Sequence, residues 1–214
     1  MLIVCWAAKG GSGTTVVSCA LALLHARRTP AWLIDLAGDV PAALGLAEST
    51  GPGIRDWIAS TSAEPSALTA IGVAASENLL VIPRGAGVTI ASSARWSELG
   101  EHLAALPTPV VVDAGTSPPP PSLAAVAQQR LLVTKPCYLS LRRSVGFTGP
   151  PPTGIVLVHE PGRALRANDI AYALQAPVVA EVTIDPAVAR AVDAGLLVSR
   201  LPRSLASTLQ VLAA

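Results

Sequence analysis

The sequence predicts an α/β protein with a doubly wound, mainly parallel sheet and helices on both faces. Short apolar runs alternate with longer stretches of helical periodicity along the whole chain. The apolar runs lack polar alternation, which is typical of strands covered on both faces. Hydrophobic residues make up 51% of the 214 residues and aromatic residues only 3%. Small aliphatic side chains therefore supply most of the core, which suits helices packed closely on a sheet.

The first half of the chain is expected to contain four strands and three helices. Uninterrupted apolar residues predict the strands, and an apolar face at helical spacing predicts the helices. Val17, Leu21 and Leu24, for example, share one face of the first helix. In chain order the elements are strand Leu2–Ala8, helix Thr14–Arg28, strand Ala31–Leu36, helix Ile54–Ser60, strand Asn78–Pro83, helix Val88–Leu106 and strand Pro109–Asp113.

The second half continues the same alternation by the same criteria. Its last segment, Arg203–Ala214, has three leucines on one side of a short helix and few cations on the other. It is therefore expected to pack on the domain rather than on a membrane surface. The other predicted elements are strand Leu131–Thr134, strand Gly154–Val158, helix Arg163–Gln175, strand Val178–Ile184 and helix Ala187–Leu197.

Two proline-rich segments, Ser117–Pro121 and Gly149–Pro152, stand where one α/β unit meets the next. A linker between domains would usually be longer and more flexible than either of them. We interpret both as stiff loops, so the expected organisation is a single domain over residues 1–214.

Composition excludes several classes of protein. The net charge is +1 and no run of five like charges occurs, which argues against a dedicated nucleic-acid reader. No apolar run approaches the ~18 residues that a membrane-spanning helix needs. Cys5, Cys19 and Cys137 lack the spacing of a redox or metal motif, so they are expected to be core thiols in a reducing compartment. The predicted location is cytoplasmic.

The segment that points to chemistry lies between the first predicted strand and the first predicted helix. A glycine-rich turn at the start of a helix can direct backbone N–H groups at phosphate oxygens. A hydroxyl at the end of such a turn is a usual ligand of Mg²⁺. The predicted binding residues are Lys9, Gly10, Gly11, Ser12, Gly13, Thr14 and Thr15.

This segment resembles the deviant Walker A motif, K-G-G-x-G-K-[ST], of the ParA/MinD family of P-loop ATPases. Lys9 matches the signature lysine, which in that family reaches the phosphates of a partner subunit, and Thr15 matches the Mg²⁺ ligand. Thr14 stands where the motif has its second lysine. The resemblance implies ATP and Mg²⁺ as cofactors and a homodimer that encloses the nucleotide.

The resemblance extends to the two strands that end in acids. Leu33–Leu36 resembles the strand leading to the first switch region, and Val110–Gly115 resembles the Walker B strand. The following stretch, with Gly38-Asp39-Val40 and Leu44-Gly45-Leu46, resembles the branch typified by CpaE and TadZ, although Ala37 replaces the acid that positions water there. The implied site residues are Lys9 and Asp39 for catalysis and Thr15, Asp35 and Asp113 for the metal.

The rest of the chain also resembles this family, in the same order. Leu131–Pro136 is similar to its V-V-T-x-P strand, and Leu139–Arg143 to the helix that follows. Val158 stands where the family has an adenine-reading Asn, and a valine side chain cannot hydrogen-bond a base. Ile184–Ala191, followed by Gly195, is similar to its closing D-P-x-V segment.

These observations leave three functions open. The first is a nucleotide-dependent positioning protein that recruits a pilus, secretion, septum or chromosome-partition machinery. The second is a relative that acts as a scaffold, because Thr14 and Ala37 predict weak or absent ATP hydrolysis. The third is an NAD(P)-binding Rossmann oxidoreductase, since Gly11–Val16 partly matches G-x-G-x-x-G and Asp35 follows at about the spacing of a ribose-binding acid.

Overall fold

In the described part of the chain, eight strands form one sheet in the order β3-β4-β2-β5-β1-β6-β7-β8, and only β3 runs antiparallel to its neighbour. The computed structural model describes residues 1–87, 92–147 and 149–213. The strands are β1 Leu2–Trp6, β2 Ala31–Asp35, β3 Val73–Ser76, β4 Leu79–Ile82, β5 Val110–Asp113, β6 Gln129–Thr134, β7 Gly154–His159 and β8 Val178–Thr183.

Helices cover both faces of this sheet. They are α1 Thr14–Ala26, α2 Val40–Leu44, α3 Ile54–Ala59, α4 Ala67–Ala70, α5 Ser93–Ala105, α6 Pro121–Val126, α7 Tyr138–Val145, α8 Ala167–Leu174, α9 Pro186–Asp193 and α10 Arg203–Leu209, with a 3₁₀ turn at Gln210–Leu212. No helix in the described part of the chain is both long and apolar enough to cross a membrane.

The central strand β1 shows how the core is divided. Successive side chains of a strand point to opposite faces, so Ile3 and Cys5 pack with α1, α2, α9 and α10. Leu2, Val4 and Trp6 pack on the other face with α3, α4, α5 and α6. All five side chains are buried. The predicted doubly wound, mainly parallel architecture is therefore confirmed.

Several predicted elements have different ends, for local reasons. The helix expected from Arg163 begins at Ala167, because the Asp169 carboxylate accepts the N–H of Arg166 at 2.8 Å and starts the helix there. The helix expected over Val88–Leu106 begins at Ser93, where the Ser92 hydroxyl accepts the N–H of Arg95 at 3.3 Å. Its predicted residues 88–91 lie outside the described ranges.

Four short elements were not predicted: α2, α4, α6 and the edge strand β3. They span four to six residues each, too few to show a period in the sequence. Pro121, assigned above to a stiff loop, is the first residue of α6. Proline fits there because the first helical N–H needs no partner within the helix.

Two of the three predicted core thiols are buried, and the C-terminal helix packs on the core. Cys5 and Cys19 are buried, whereas Cys137 is only partly buried. The three leucines Leu205, Leu209 and Leu212 are buried and belong to the core cluster beside α1. As predicted, this segment packs on the domain over its described residues, which end at 213.

Gly45→Ala is expected to destabilise the protein strongly. Gly45 ends α2 with a φ of +72°, and an added Cβ would stand 2.1 Å from the carbonyl oxygen of Gly195 beyond α9. The left-handed backbone alone costs a non-glycine residue about 1–2 kcal/mol, and the collision with backbone adds about 1–3 kcal/mol. The free energy of unfolding in urea measures the loss.

Gly162→Ala is the matched control. Its φ is +80°, but no described heavy atom lies within 4 Å of the added Cβ. This variant should therefore lose only the backbone contribution. Equal losses for Gly45→Ala and Gly162→Ala would contradict the close approach between Gly45 and Gly195.

Candidate functional site

A cleft of about 620 Å³ lies above the carboxyl ends of the central strands. Parallel strands β1, β5 and β2 end side by side, with Cys5 and Asp35 each in register with Asp113. This edge of the sheet is where doubly wound proteins usually bind ligands. The cleft is lined by Lys9 to Val16, Leu36, Ala37, Asp39, Arg55, Trp96, Ala114 to Pro118 and Pro120.

The loop Lys9–Thr15 forms one wall of the cleft and leads directly from β1 into α1. Its bends depend on glycine, since Gly11 and Gly13 have φ angles of +73° and +91°. The Ser12 hydroxyl donates to the carbonyl of Lys9 at 2.7 Å and braces the turn. Gly13 precedes α1 without a side-chain cap, so the first N–H groups of the helix remain available to an anion.

The predicted binding residues are thus together in one wall, but they differ in exposure. Thr14 is 6% exposed and adds no charge to the loop. Lys9 is partly buried, and its Nζ lies 3.3 Å from the carbonyl oxygen of Gly10. The loop therefore offers neutral donors along its length and a single ammonium at its start.

Asp35 is fully buried at the end of β2 and accepts three backbone hydrogen bonds. Its Oδ1 accepts from Ala37 at 3.0 Å and Gly38 at 2.6 Å, and its Oδ2 accepts from Val40 at 3.2 Å. Burial raises the pKa of this carboxyl, and the three amides act in the opposite direction. The carboxylate therefore organises the turn after β2.

Asp113 is also fully buried, at the end of β5, but only half of its carboxyl group is satisfied. Oδ1 accepts the N–H of Gly115 at 3.0 Å, whereas Oδ2 has no hydrogen-bond partner among the described residues. Burial raises the pKa of Asp113 to about 6, although the nearby Thr15 hydroxyl and the Gly115 amide lower it.

This free buried oxygen fits a cation. Mg²⁺ in proteins usually takes one or two carboxylates and completes its shell with water and phosphate oxygens. No group of three or more His, Cys, Asp or Glu side chains that could hold a metal occurs in the described ranges. Asp113 and Thr15 could therefore hold Mg²⁺ together with a bound phosphate, but not as a closed protein cage.

Ala37 and Asp39 both line the cleft from the turn after β2. Ala37 packs tightly under Gly115, where an added Cβ would lie 2.7 Å from the Ala37 Cβ. Asp39 is exposed, and its side chain makes no capping hydrogen bond to α2. Asp39, which was predicted as a catalytic residue, thus lies at the exposed rim of the cleft, and the methyl group of Ala37 lies next to Gly115.

Two arginines beside this turn were missed by the sequence reasoning. Arg55 on α3 donates from Nη2 to the carbonyl of Leu36 at 3.2 Å, and Arg84 after β4 donates from Nη1 to that of Ala37 at 3.0 Å. Only Arg55 lines the cleft. Neither stands in a recognisable motif, so no sequence signal could have found them.

A second cavity of about 260 Å³ lies on the other side of the loop. Val158 of β7 lies against the loop here, with its Cγ2 3.8 Å from the position of a Cβ on Gly13. The walls also include Val182, Ile184 and Val188. Its surface is mainly apolar, so it could accept a flat ring next to the loop Lys9–Thr15.

The oxidoreductase alternative is not favoured by this geometry. A ribose-binding acid must reach the ligand with a free carboxylate. Asp35 is fully buried, and both of its oxygens already accept backbone N–H groups. Val16 stands where a dinucleotide-binding turn has a small residue for close helix–strand packing.

Asp113 predicts a specific dependence of stability on pH. Between the unfolded pKa near 3.8 and the folded pKa near 6, the folded state holds a proton that the unfolded state has released, so raising the pH favours unfolding. We expect the free energy of unfolding of the wild type to fall by about 3 kcal/mol relative to that of Asp113→Asn across this pH interval. Urea unfolding without divalent cation measures it, and a difference independent of pH would contradict the burial of the charge.

Comparison with solved structures identifies proteins of similar fold. No family model and no curated protein matches the chain. A ParA family ATPase from Chlorobium tepidum matches with a TM-score of 0.81 at 18% identity, over 99% of this chain and 96% of that one. MinD from Pyrococcus horikoshii, solved with Mg-ADP, matches at 0.78 with 19% identity, over 99% and 93%.

The MinC:MinD cell division complex of Aquifex aeolicus provides a third match. Its TM-score is 0.77 at 18% identity, and the match covers 99% of this chain and 93% of that one. At such identities the likeness concerns the course of the backbone. The chain therefore has the ParA/MinD-like P-loop NTPase fold that its sequence predicts.

Proposed function

We propose that this chain is a nucleotide-linked positioning or scaffold protein that binds Mg-ATP in the cleft and hydrolyses it slowly or not at all. The observation that supports this most is one cleft lined by the amide-rich loop Lys9–Thr15 and by Ala114 and Gly115, the residues directly after the buried, half-satisfied carboxylate of Asp113. Helix N-terminal amides suit phosphate oxygens, and a buried carboxylate oxygen suits a hydrated Mg²⁺ ion.

In this proposal the residues of the site have different roles. Thr15 and Asp113 would hold Mg²⁺, which supplies positive charge to the phosphates when bound. Asp35, also predicted as a metal residue, would act indirectly by holding the turn after β2 through its three amide contacts. The apolar cavity beside Val158 would receive the base.

We expect slow hydrolysis because two positions, those of Thr14 and Ala37, carry no charged side chain. Phosphoryl transfer depends on charge placed at the phosphates and on a group that orients the attacking water. Thr14 provides a neutral side chain at the first position, and Ala37 provides a methyl group at the second. Asp39 is the only acid among the residues that line the cleft, and it is exposed at the rim.

A protein partner is part of the proposal. The MinD of one similar structure is in complex with MinC, and helix α7 of this chain exposes apolar side chains. Tyr138 is 73% exposed and Val145 60%. We propose a homodimer, of CpaE/TadZ type, that works in the cytoplasm and recruits a pilus, secretion, septum or partition machinery.

Nucleotide titration tests this function directly. ATP, ADP and NAD⁺ are titrated separately in the presence of Mg²⁺, with binding followed by calorimetry and the mass of the protein by light scattering. The proposal expects ATP and ADP to bind and ATP to change the mass. Tighter binding of NAD⁺ than of ATP would overturn the proposal in favour of the oxidoreductase.

Thr14→Lys should tighten ATP binding about tenfold to a hundredfold, because a charge-assisted contact contributes roughly 1.5–3 kcal/mol. Wild-type turnover should lie well below the ordinary range of about 1 s⁻¹ and above, and Thr14→Lys alone should leave it there. Thr14→Lys combined with Ala37→Asp should raise it. Phosphate release measures the rates, and a fast wild type would contradict the role given to Thr14.

Lys9→Ala should abolish ATP-dependent dimerisation while leaving the fold intact. The Lys9 side chain makes its one described hydrogen bond to the adjacent residue, so its loss removes charge and little packing. Lys9→Arg, which keeps the charge, is the control and should still dimerise. If wild type and Lys9→Ala have the same mass with and without ATP, the chain is a constitutive binding module rather than a switch.

A further inference from the structure

Positive charge around the cleft comes from two side chains on different elements. Lys9 begins the loop and Arg55 projects from α3, and these are the only cations among the described residues that line the cleft. The Lys9 ammonium contacts the carbonyl of its neighbour Gly10 at 3.3 Å. Arg55, in contrast, hydrogen-bonds to segments that are distant from it in the sequence.

Arg55 is anchored at both its backbone and its side chain. Its N–H donates to the carbonyl of Arg84 at 3.0 Å, and its Nη2 donates to the carbonyl of Leu36 at 3.2 Å. Its neighbours on α3, Ile54 and Trp57, are buried in the core. The guanidinium is therefore placed against the turn after β2 with little freedom to move away.

The charge of Arg55 is not neutralised within the described ranges. The ion pairs there join Arg95 to Glu98 and both Lys135 and Arg163 to Glu160, and no carboxylate lies within 4.0 Å of the Arg55 side-chain nitrogens. Asp56, the nearest acid in sequence, accepts the N–H of Gly53 at 2.8 Å instead. A partly buried, unpaired guanidinium beside a wall of free amides is a site for a polyanion.

We infer that Arg55 binds the terminal phosphates of a nucleoside di- or triphosphate in the same subunit and supplies the charge that Thr14 does not. The inference rests on the proposed function, because it names a residue of the same site. Arg55 binds ligand while its Nη2 holds Leu36. Phosphate occupancy is thereby linked to the turn that contains Ala37 and Asp39.

Arg84 provides a matched control for this inference. It is an arginine beside the same turn and donates to the next carbonyl, that of Ala37, at 3.0 Å. It is exposed and does not line the cleft. Arg55→Ala and Arg84→Ala each remove one charge and one hydrogen bond to the turn, but only Arg55→Ala removes a cation from the cleft.

The experiment measures dissociation constants for Mg-ATP, AMP and inorganic tripolyphosphate by calorimetry. Arg55→Ala should weaken ATP and tripolyphosphate tenfold to a hundredfold and AMP less than threefold, whereas Arg84→Ala should change each less than threefold. Arg55→Lys should fall between wild type and Arg55→Ala. Thr14→Lys in the Arg55→Ala background should restore ATP affinity, which shows that the variant is folded.

The outcomes separate the inference from the proposed function. If wild type binds ATP and Arg55→Ala weakens it no more than Arg84→Ala does, the inference is overturned and the proposed function stands. If Arg55→Ala weakens tripolyphosphate but the wild type binds ATP no more tightly than tripolyphosphate, the phosphate contact of Arg55 stands, whereas recognition of a nucleotide fails and the proposed function is overturned. If wild type binds neither ligand, both are overturned.

Discussion

The carboxylate of Asp35 is the group on which the shape of the cleft depends. It is fully buried at the end of β2 and receives the N–H groups of Ala37, Gly38 and Val40. A buried carboxylate must have such partners, because an uncompensated charge is costly away from water. The chain therefore has to turn sharply after β2, and this turn forms one rim of the cleft.

The two buried acids that end β2 and β5 are neighbours in register, yet their carboxyl groups have different hydrogen-bond partners. Burial raises the pKa of both carboxyl groups. Asp35 is compensated by the backbone and has no unused oxygen, whereas Asp113 keeps one oxygen without a partner in the described structure. The free oxygen of Asp113 could therefore accept a hydrated cation, whereas Asp35 could not.

In the proposed function the protein senses nucleotide rather than consuming it, and this proposal rests on the distribution of charge. Binding requires amides and a few cations around the phosphates, and the loop Lys9–Thr15 together with Arg55 of α3 would provide them. Rapid hydrolysis also requires charge and an oriented water at the reacting phosphate. In the proposed function Thr14 and Ala37 leave these positions neutral, so a bound nucleotide would persist and hold the turn in one state.

Much of the fold was predictable because it depends on local patterns. The sequence shows the apolar strands, the helical spacing of α1 and the glycine-rich loop that joins β1 to α1. The alternation of strands with helices then predicts the parallel sheet. Short elements could not be predicted in this way: α2 and the edge strand β3 contain five and four residues. Helix α2 also depends on contacts with α9, which is distant in the sequence, whereas β3 pairs with the adjacent strand β4.

The fold class, the position of the loop Lys9–Thr15 and the acids that end β2 and β5 could be predicted from the residue pattern alone. The different roles of those acids could not, because the distinction between Asp35 and Asp113 depends on which backbone amides reach each carboxylate in the folded chain. The position of Arg55 in the cleft also depends on tertiary structure, because it results from the packing of α3 beside β2. Charges that meet through packing leave no periodic or spaced signal in the chain.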